Sequence, residues 1–257
     1  MLPITLIGAG NVAWQLGKAL YKKGYPIIEV YSRTPENAQL LSDELHAKPI
    51  IAIDLLSQHQ GIFICCVSDN AIASVAEQLE FKPNLLVHTS GSQPIDVLMP
   101  FSIQAGVLYP LQSLLRHRDA NWSSIPICIE VSNAESLHQI QMIASHLSNR
   151  VEHINSTQRR QLHLAAVLVS NFTNYLYTRA EVYCKEHQLP FSILHPLILE
   201  TAERLTENSP LLWQTGPARR NDTITIDIHK QMLQNDPELQ QLYQVFSESI
   251  HNFFSKP

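Results

Sequence analysis

The chain has 257 residues, enough for one large domain or two modest ones. An apolar fraction of 45% and a charged fraction of 16% exclude a disordered chain. The net charge is -5 with Lys and Arg scattered rather than clustered, which gives a nucleic-acid partner no support.

No apolar run reaches the roughly 18 residues that a membrane helix needs, so no membrane partner is expected. The sequence starts on strand-like residues without a basic leader. Its four cysteines, Cys65, Cys66, Cys128 and Cys184, lack metal-ligand spacing and read as reduced core residues of a cytoplasmic protein. Cys65 and Cys66 are neighbours in an apolar run, which predicts side chains on opposite faces of a strand. The histidines are dispersed as well, and no metal site is expected.

Residues 2–7 form the first predicted strand and lead directly into glycines, after which 11–23 show helical spacing through Val12, Leu16, Ala19 and Leu20. A strand over 27–31 and a helix over 35–46, opened by Pro35, come next. The almost wholly apolar run 61–67 predicts a central strand buried on both faces. A helix over 70–79, strands over 84–88, 104–108 and 125–131, and a helix over 134–147 complete the first half. This alternation predicts an α/β fold, a parallel sheet with helices on both faces, over 1–154.

From 155 to 257 the pattern is all-α. No Gly or Pro interrupts 155–187, and Asn155 with Gln158 offers a capping box, so one long central helix of about 45–50 Å is predicted. Helices over 191–207, 223–234 and 237–254 follow.

Gly8-Ala9-Gly10-Asn11-Val12-Ala13 matches G-x-G-x-x-A between a predicted strand and a predicted helix, the context of a Rossmann-type dinucleotide site. Gly8 permits the tight turn and Gly10 admits a pyrophosphate, with Asn11 and Val12 opening the helix beneath it. At the end of the second strand an NAD site places Asp or Glu; this chain has Ser32-Arg33-Thr34, which suits a 2′-phosphate and predicts NADP(H). Val67 and Ser68 lie at the same carboxyl edge, where Ser68 and Asp69 serve equally well as helix caps. His88-Thr89-Ser90-Gly91-Ser92 is a small polar loop there; it suits the nicotinamide through Ser90 and the substrate through Ser92, or is a plain turn.

On the long helix, Leu162, Ala165, Val169, Phe172, Leu176, Ala180 and Tyr183 share one face at 100° per residue and read as core. The opposite stripe, His163, Val167, Ser170, Asn171, Asn174 and Thr178, is polar and uncharged, with charge only towards the ends, as at Arg159. It reads as the wall of a polar cleft in which His163 acts as acid or base, or as a hydrogen-bonded interface without chemistry. Arg220, after Gly216-Pro217, can hold an anionic substrate group, with His229 on the following helix; the same segment reads as a solvated connection with Asp222 as a cap.

These motifs, with YSRT (31–34), CCVSDNAI (65–72), HTSGS (88–92), LYPLQSL (108–114), QLHLAAVLVSNFTNYLY (161–177) and TGPARRND (215–222), resemble over nearly the whole chain the Rossmann-like proteins with a C-terminal helical domain of unknown function. More distantly the chain is similar to pyrroline-5-carboxylate reductase, ketopantoate reductase, the 6-phosphogluconate and β-hydroxyacid dehydrogenases, and deazaflavin-dependent NADP oxidoreductases. The resemblance implies hydride transfer between NADP(H) and a small carbonyl, imine or hydroxy compound, and a homodimer built through the helical half. It also implies catalytic roles for Asn171 and Asn174. The β-hydroxyacid and ketopantoate enzymes place a catalytic Lys one turn before Asn; Val167 stands there, which leaves His163 as the proton-transfer residue or the protein as a non-catalytic dinucleotide sensor.

Overall fold

A computed structural model describes residues 1–255 and divides the chain into two compact units, Met1–Asn171 and the residues from Phe172 onward. The first unit runs β1 (Ile4–Ile7), α1 (Asn11–Lys22), β2 (Ile27–Tyr31), α2 (Pro35–Leu45), β3 (Lys48–Ile50), β4 (Ile62–Cys65), α3 (Ile72–Glu77), β5 (Leu85–His88), β6 (Gln104–Pro110), β7 (Ile127–Val131), α4 (Ala134–Leu147) and β8 (Val151–His153). The strands form one sheet in the order β3-β2-β1-β4-β5-β6-β7-β8. The order reverses beside β1, which puts the switch point at the glycine turn.

The first unit ends at Asn171 rather than at the expected residue 154, and within the sheet two details depart from the sequence reading. The sheet is not wholly parallel, because β7 runs antiparallel to β6, pairing Val107 with Glu130 and Leu108 with Ile129. The three-residue strands β3 and β8, too short to show a period, were not expected.

Side chains alternate between two cores. Leu6, Ile64 and Val87 pack with Leu16, Leu20, Ile140 and Ile143 of α1 and α4, whereas Ile7, Phe63, Leu86 and Val107 pack with Ile72 of α3 and with Ile95 and Leu98. Cys65 and Cys66 fall into different cores, as alternation along a strand requires.

The long helix opens as α5 (Ser156–Ala166) with the expected capping box of Asn155 and Gln158. A π-helical turn, Val167–Phe172, then interrupts it before α6 (Thr173–Glu186). Because the wider turn inserts a residue into the 3.6-residue repeat, the single stripe expected from His163 to Thr178 does not carry through it. The apolar stripe is core only in part: Leu162 packs on the second cluster, whereas Ala165, Val169 and Phe172 are exposed, Val169 by 75%.

From Phe172 onward the chain is helical, with α7 (His195–Glu203), α8 (Pro217–Arg220), α9 (Thr223–Met232) and α10 (Pro237–Phe254) following α6. The α10 helix packs on α8 and α9, and Arg179 of α6 pairs with Asp236 at 2.5 Å and Glu238 at 3.2 Å. No helix among the described residues is long and apolar enough to cross a membrane.

Candidate active site at the carboxyl edge of the sheet

The glycine turn follows β1 directly. Gly8 has φ +115°, and a Cβ there would lie 2.6 Å from the Cys66 carbonyl oxygen, so glycine is obligatory. A Cβ on Gly10 would have no neighbour within 4 Å, which leaves its backbone open to a ligand. Gly10 caps α1 without a side-chain bond, and no acidic residue stands in the first turn. The free N–H groups of that turn, at Asn11 and Val12 among others, therefore face outward with the positive end of the helix dipole. Ala13, fully buried, brings the helix close to the sheet. The cradle fits a dinucleotide pyrophosphate.

At the end of β2, Ser32 is buried and its Oγ accepts the Thr34 N–H at 3.2 Å, while Arg33 and Thr34 are exposed. Among the described residues Arg33 has no ion pair. Glu29, the carboxylate within β2, is turned away: it accepts the Ser57 hydroxyl at 2.7 Å and the Ser57 N–H at 3.0 Å. The residues that end β2, Ser32 to Thr34, include no carboxylate for a ribose 2′-hydroxyl, and a 2′-phosphate would find the Arg33 guanidinium.

The loops after β4 and β5 are joined. Ser92 Oγ donates to Asp69 at 2.5 Å, and Ser90 Oγ accepts the N–H groups of Ser92 and Gln93 at 3.1 and 3.0 Å. Neither Ser68 nor Asp69 caps the next turn through its side chain. Val67 lies against Gly8, 3.2 Å from the position of a Cβ there. His88, wholly buried, accepts the Ser90 N–H on Nδ1 at 3.1 Å. Burial, reinforced by Arg159, pushes its imidazole down to about 4, against smaller upward effects of the Pro94 hydrogen bond, Asp69 and Glu130. His88 is a neutral prop.

His163 is brought to this edge. A Cβ on Gly91 would lie 2.6 Å from His163 Nδ1 and 2.7 Å from Tyr109 Cζ, so both rings pack on that glycine. Tyr109 Oη and His163 Nδ1 are 3.1 Å apart. Burial, then Cys128 and Asp69, push the Tyr109 phenol up to about 12 against an opposing effect of Arg159, so it keeps its proton at neutral pH. The phenol can donate to Nδ1 or accept from it, according to which His163 nitrogen holds the proton. Both residues line a cavity of about 540 Å³ together with Gln112, Ser113, Ser170 and Asn171, and with apolar groups of α5 and the π-turn. Ser113 and Ser170 hydroxyls are 3.0 Å apart. No Asp, Glu, Lys or Arg lines it. It is a mixed pocket, with a polar row set in a largely apolar lining.

Arg159, one of the charges towards the ends of the long helix, is 0% exposed. It donates to Glu130 and, at 2.5 Å, to the Gln93 carbonyl; Glu130 also accepts the Ser156 hydroxyl at 2.7 Å. One turn before His163, this clamp fastens α5 to the loop that carries Ser90–Ser92. Tyr109 and Arg159 are the residues that sequence reading missed. Tyr109 gave one signal, a polar hydroxyl in the apolar run of β6, whereas Arg159 stands in the polar stretch NSTQRRQ and gave none.

The remaining predicted residues lie in the second unit. Asn174 is exposed, and its carbonyl accepts the Thr178 hydroxyl at 3.0 Å. Arg220 is exposed, and Asp222 caps α9 by accepting the Thr225 N–H at 3.1 Å and hydroxyl at 2.7 Å. His229 Nδ1 bonds the Tyr243 hydroxyl at 2.8 Å beside a cavity of about 420 Å³ walled by Leu176, Ala180, Met232 and Leu239. That surrounding is apolar.

Two domain models match the chain. One described as NADP oxidoreductase, coenzyme F420-dependent, covers residues 3–91, and one described as a domain of unknown function (DUF2520) covers 125–250. Among solved structures, a candidate NADP oxidoreductase from Bacteroides fragilis is 41% identical with a TM-score of 0.91, over 98% of each chain. A 1-pyrroline-5-carboxylate reductase from Streptococcus pyogenes shares the fold at 13% identity and a TM-score of 0.62, over 98% of each chain. An imine reductase from Streptomyces aurantiacus does so at 15% and 0.67, over 97% of this chain and 93% of the other. No curated protein matches.

Proposed function

We propose that this chain, which belongs to the family pairing an NADP oxidoreductase-type dinucleotide domain with DUF2520, is an NADP(H)-dependent reductase or dehydrogenase of a small carbonyl, imine or hydroxy compound. The observation that carries the reading is the shared sheet edge. There the open Gly10 cradle, the unpaired Arg33, and the His163–Tyr109 pair on Gly91 follow β1, β2 and β5.

The backbone of Gly8, Gly10, Asn11 and Val12 would hold the pyrophosphate, and Ser32, Arg33 and Thr34 the 2′-phosphate. Val67, Ser68 and Ser90 would flank the nicotinamide, which when bound supplies or accepts the hydride. The chain's own task is the proton. In reduction, the substrate oxygen or nitrogen gains one proton from the His163–Tyr109 pair as its carbon gains the hydride; the pair is recharged from solvent, and oxidation runs the same transfers backwards. Ser92, anchored to Asp69, and Asn171 at the cavity wall orient the polar end of the substrate. Arg220 and His229 are assigned to substrate binding from the residue types at and after the Gly216-Pro217 turn, and Asn174 to the reacting end from the family pattern. The partner of this chain is a second copy, joined through the helical half.

Calorimetric titration with NADPH and NADH, followed by NADPH oxidation against a panel of cyclic imines and ketones, tests the proposal. Preference for NADPH lost in Arg33→Ala, and turnover lowered about 100-fold in His163→Ala with NADPH binding intact, are the expected results. Binding of neither nucleotide at millimolar levels overturns the reading. Binding without turnover of any substrate favours the sensor instead.

A further inference from the structure

We propose that Arg116 is a second phosphate-binding cation of the dinucleotide site, held ready over the opening turn of α1 and reading the pyrophosphate rather than the 2′-phosphate. This rests on the dinucleotide reading above and assigns a residue from a loop some 100 positions away in sequence. After β6 the chain crosses to α1 as residues 111–121, and α1 grips it. Gln15, only 2% exposed, donates from Nε2 to the carbonyls of Leu115 at 2.8 Å, Arg118 at 3.0 Å and Arg116 at 3.3 Å, and accepts the Ala120 N–H on Oε1 at 3.3 Å. Asn11, the first helical residue after Gly10, uses Oδ1 to accept the Arg116 N–H at 3.1 Å. The backbone of Arg116 is thereby fixed at the helix opening.

The side chain is fixed as well. The Arg116 guanidinium carbon lies 3.8 Å from the centroid of the Trp14 ring, and Trp14 sits one turn further along the same helix. Stacking on a neutral ring orients the planar fork and leaves its charge uncompensated. Among the described residues no carboxylate lies within ion-pair distance of Arg116, whereas Lys18 on the same helix is matched by Glu44 and Asp119, each at 3.5 Å. A purely structural stack would explain the contact with Trp14. It does not explain why a buried Gln and an Asn spend their hydrogen bonds seating an unmatched cation beside an uncapped helix start. That start lies at the glycine whose added Cβ would meet open space. A diphosphate meets both needs, the free N–H groups from below and the guanidinium fork from the side.

Because NADPH and NADH share the pyrophosphate, Arg116 and Arg33 have distinguishable signatures. Titration calorimetry of the full chain is expected to show both nucleotides weakened about tenfold or more by Arg116→Ala, with the NADPH-to-NADH ratio preserved; Arg33→Ala collapses that ratio. Arg116→Lys, which keeps the charge and loses the fork, is expected to fall between, and supplies the readout if the alanine variant does not fold. Unchanged affinity for both nucleotides overturns the assignment, as does a loss confined to NADPH. Wild-type protein that binds neither removes the dinucleotide reading and Arg116 with it.

Discussion

At the glycine turn two residues two positions apart answer opposite constraints, and a single methyl group separates them experimentally. Gly8→Ala forces a Cβ to 2.6 Å from the Cys66 carbonyl at φ +115°, so a loss of about 2–4 kcal/mol is expected in urea unfolding. Gly10 has φ -81° and open space, so Gly10→Ala is expected to melt within a degree or two of wild type while its NADPH dissociation constant rises about tenfold. Equal nucleotide binding by Gly10→Ala and wild type would contradict the cradle. His88 makes a pH prediction. Its folded value of about 4 lies below the ordinary histidine value of 6.5, so the unfolded chain binds the extra proton as pH falls. This buried imidazole therefore costs stability progressively from about pH 6.5 down to about 4, in total about 3 kcal/mol, and nothing further below. His88→Asn, whose side-chain oxygen can still accept the Ser90 N–H, is expected to flatten that part of the stability profile. A variant that loses as much as wild type between pH 7 and 4.5 would show the imidazole not to be the source.

Among the elements, α5 depends on the Arg159–Glu130–Ser156 clamp, which ties the helix to the loop after β5 and so sets His163 on Gly91. Replacing Arg159 by Met leaves Glu130 half-buried without its cation, and a loss of about 3–5 kcal/mol is expected from urea unfolding. The double variant Arg159→Met, Glu130→Gln is expected to recover part of it; no recovery would mean that packing, not charge, holds the helix. The clamp also marks what was legible beforehand. The glycine turn, the free strand end at Ser32–Thr34 and the Asn155–Gln158 capping box are local, written in consecutive residues, and they were readable. The contact of Tyr109 with His163 spans 54 residues and depends on β6 and α5 meeting, which no spacing encodes. Arg159 was passed over for the same reason, since nothing local marks an Arg near a helix start as buried until its tertiary partner is known. The π-turn at Val167–Phe172 left no local mark either, because an inserted residue changes the phase of a pattern without changing its composition.

At the scale of the whole molecule the distribution of apolar burial is uneven. From Phe172 onward, among the described residues, the only buried apolar side chains are Cys184, Ala218 and Leu233, whereas Ile224 is 75% and Leu212 71% exposed. Helical periodicity states that a face is apolar, and therefore covered, but not which chain covers it; the stripe through Val169 and Phe172 was assigned to a core that a single copy does not provide. Five helices with so little buried surface do not offset the entropy of ordering them. An exposed apolar surface of this extent calls for a matching one, and the matching surface always present at equal concentration is another copy related by two-fold symmetry. Sedimentation is therefore expected to give a dimer at micromolar concentration, with a melting temperature that rises with protein concentration because association and folding are linked. Introducing a charge by Ile224→Glu is expected to weaken association and lower the melting temperature together. A monomer at every concentration, unfolding in one cooperative transition, would show that the helical unit is stable on its own few buried contacts and that its apolar faces serve another partner.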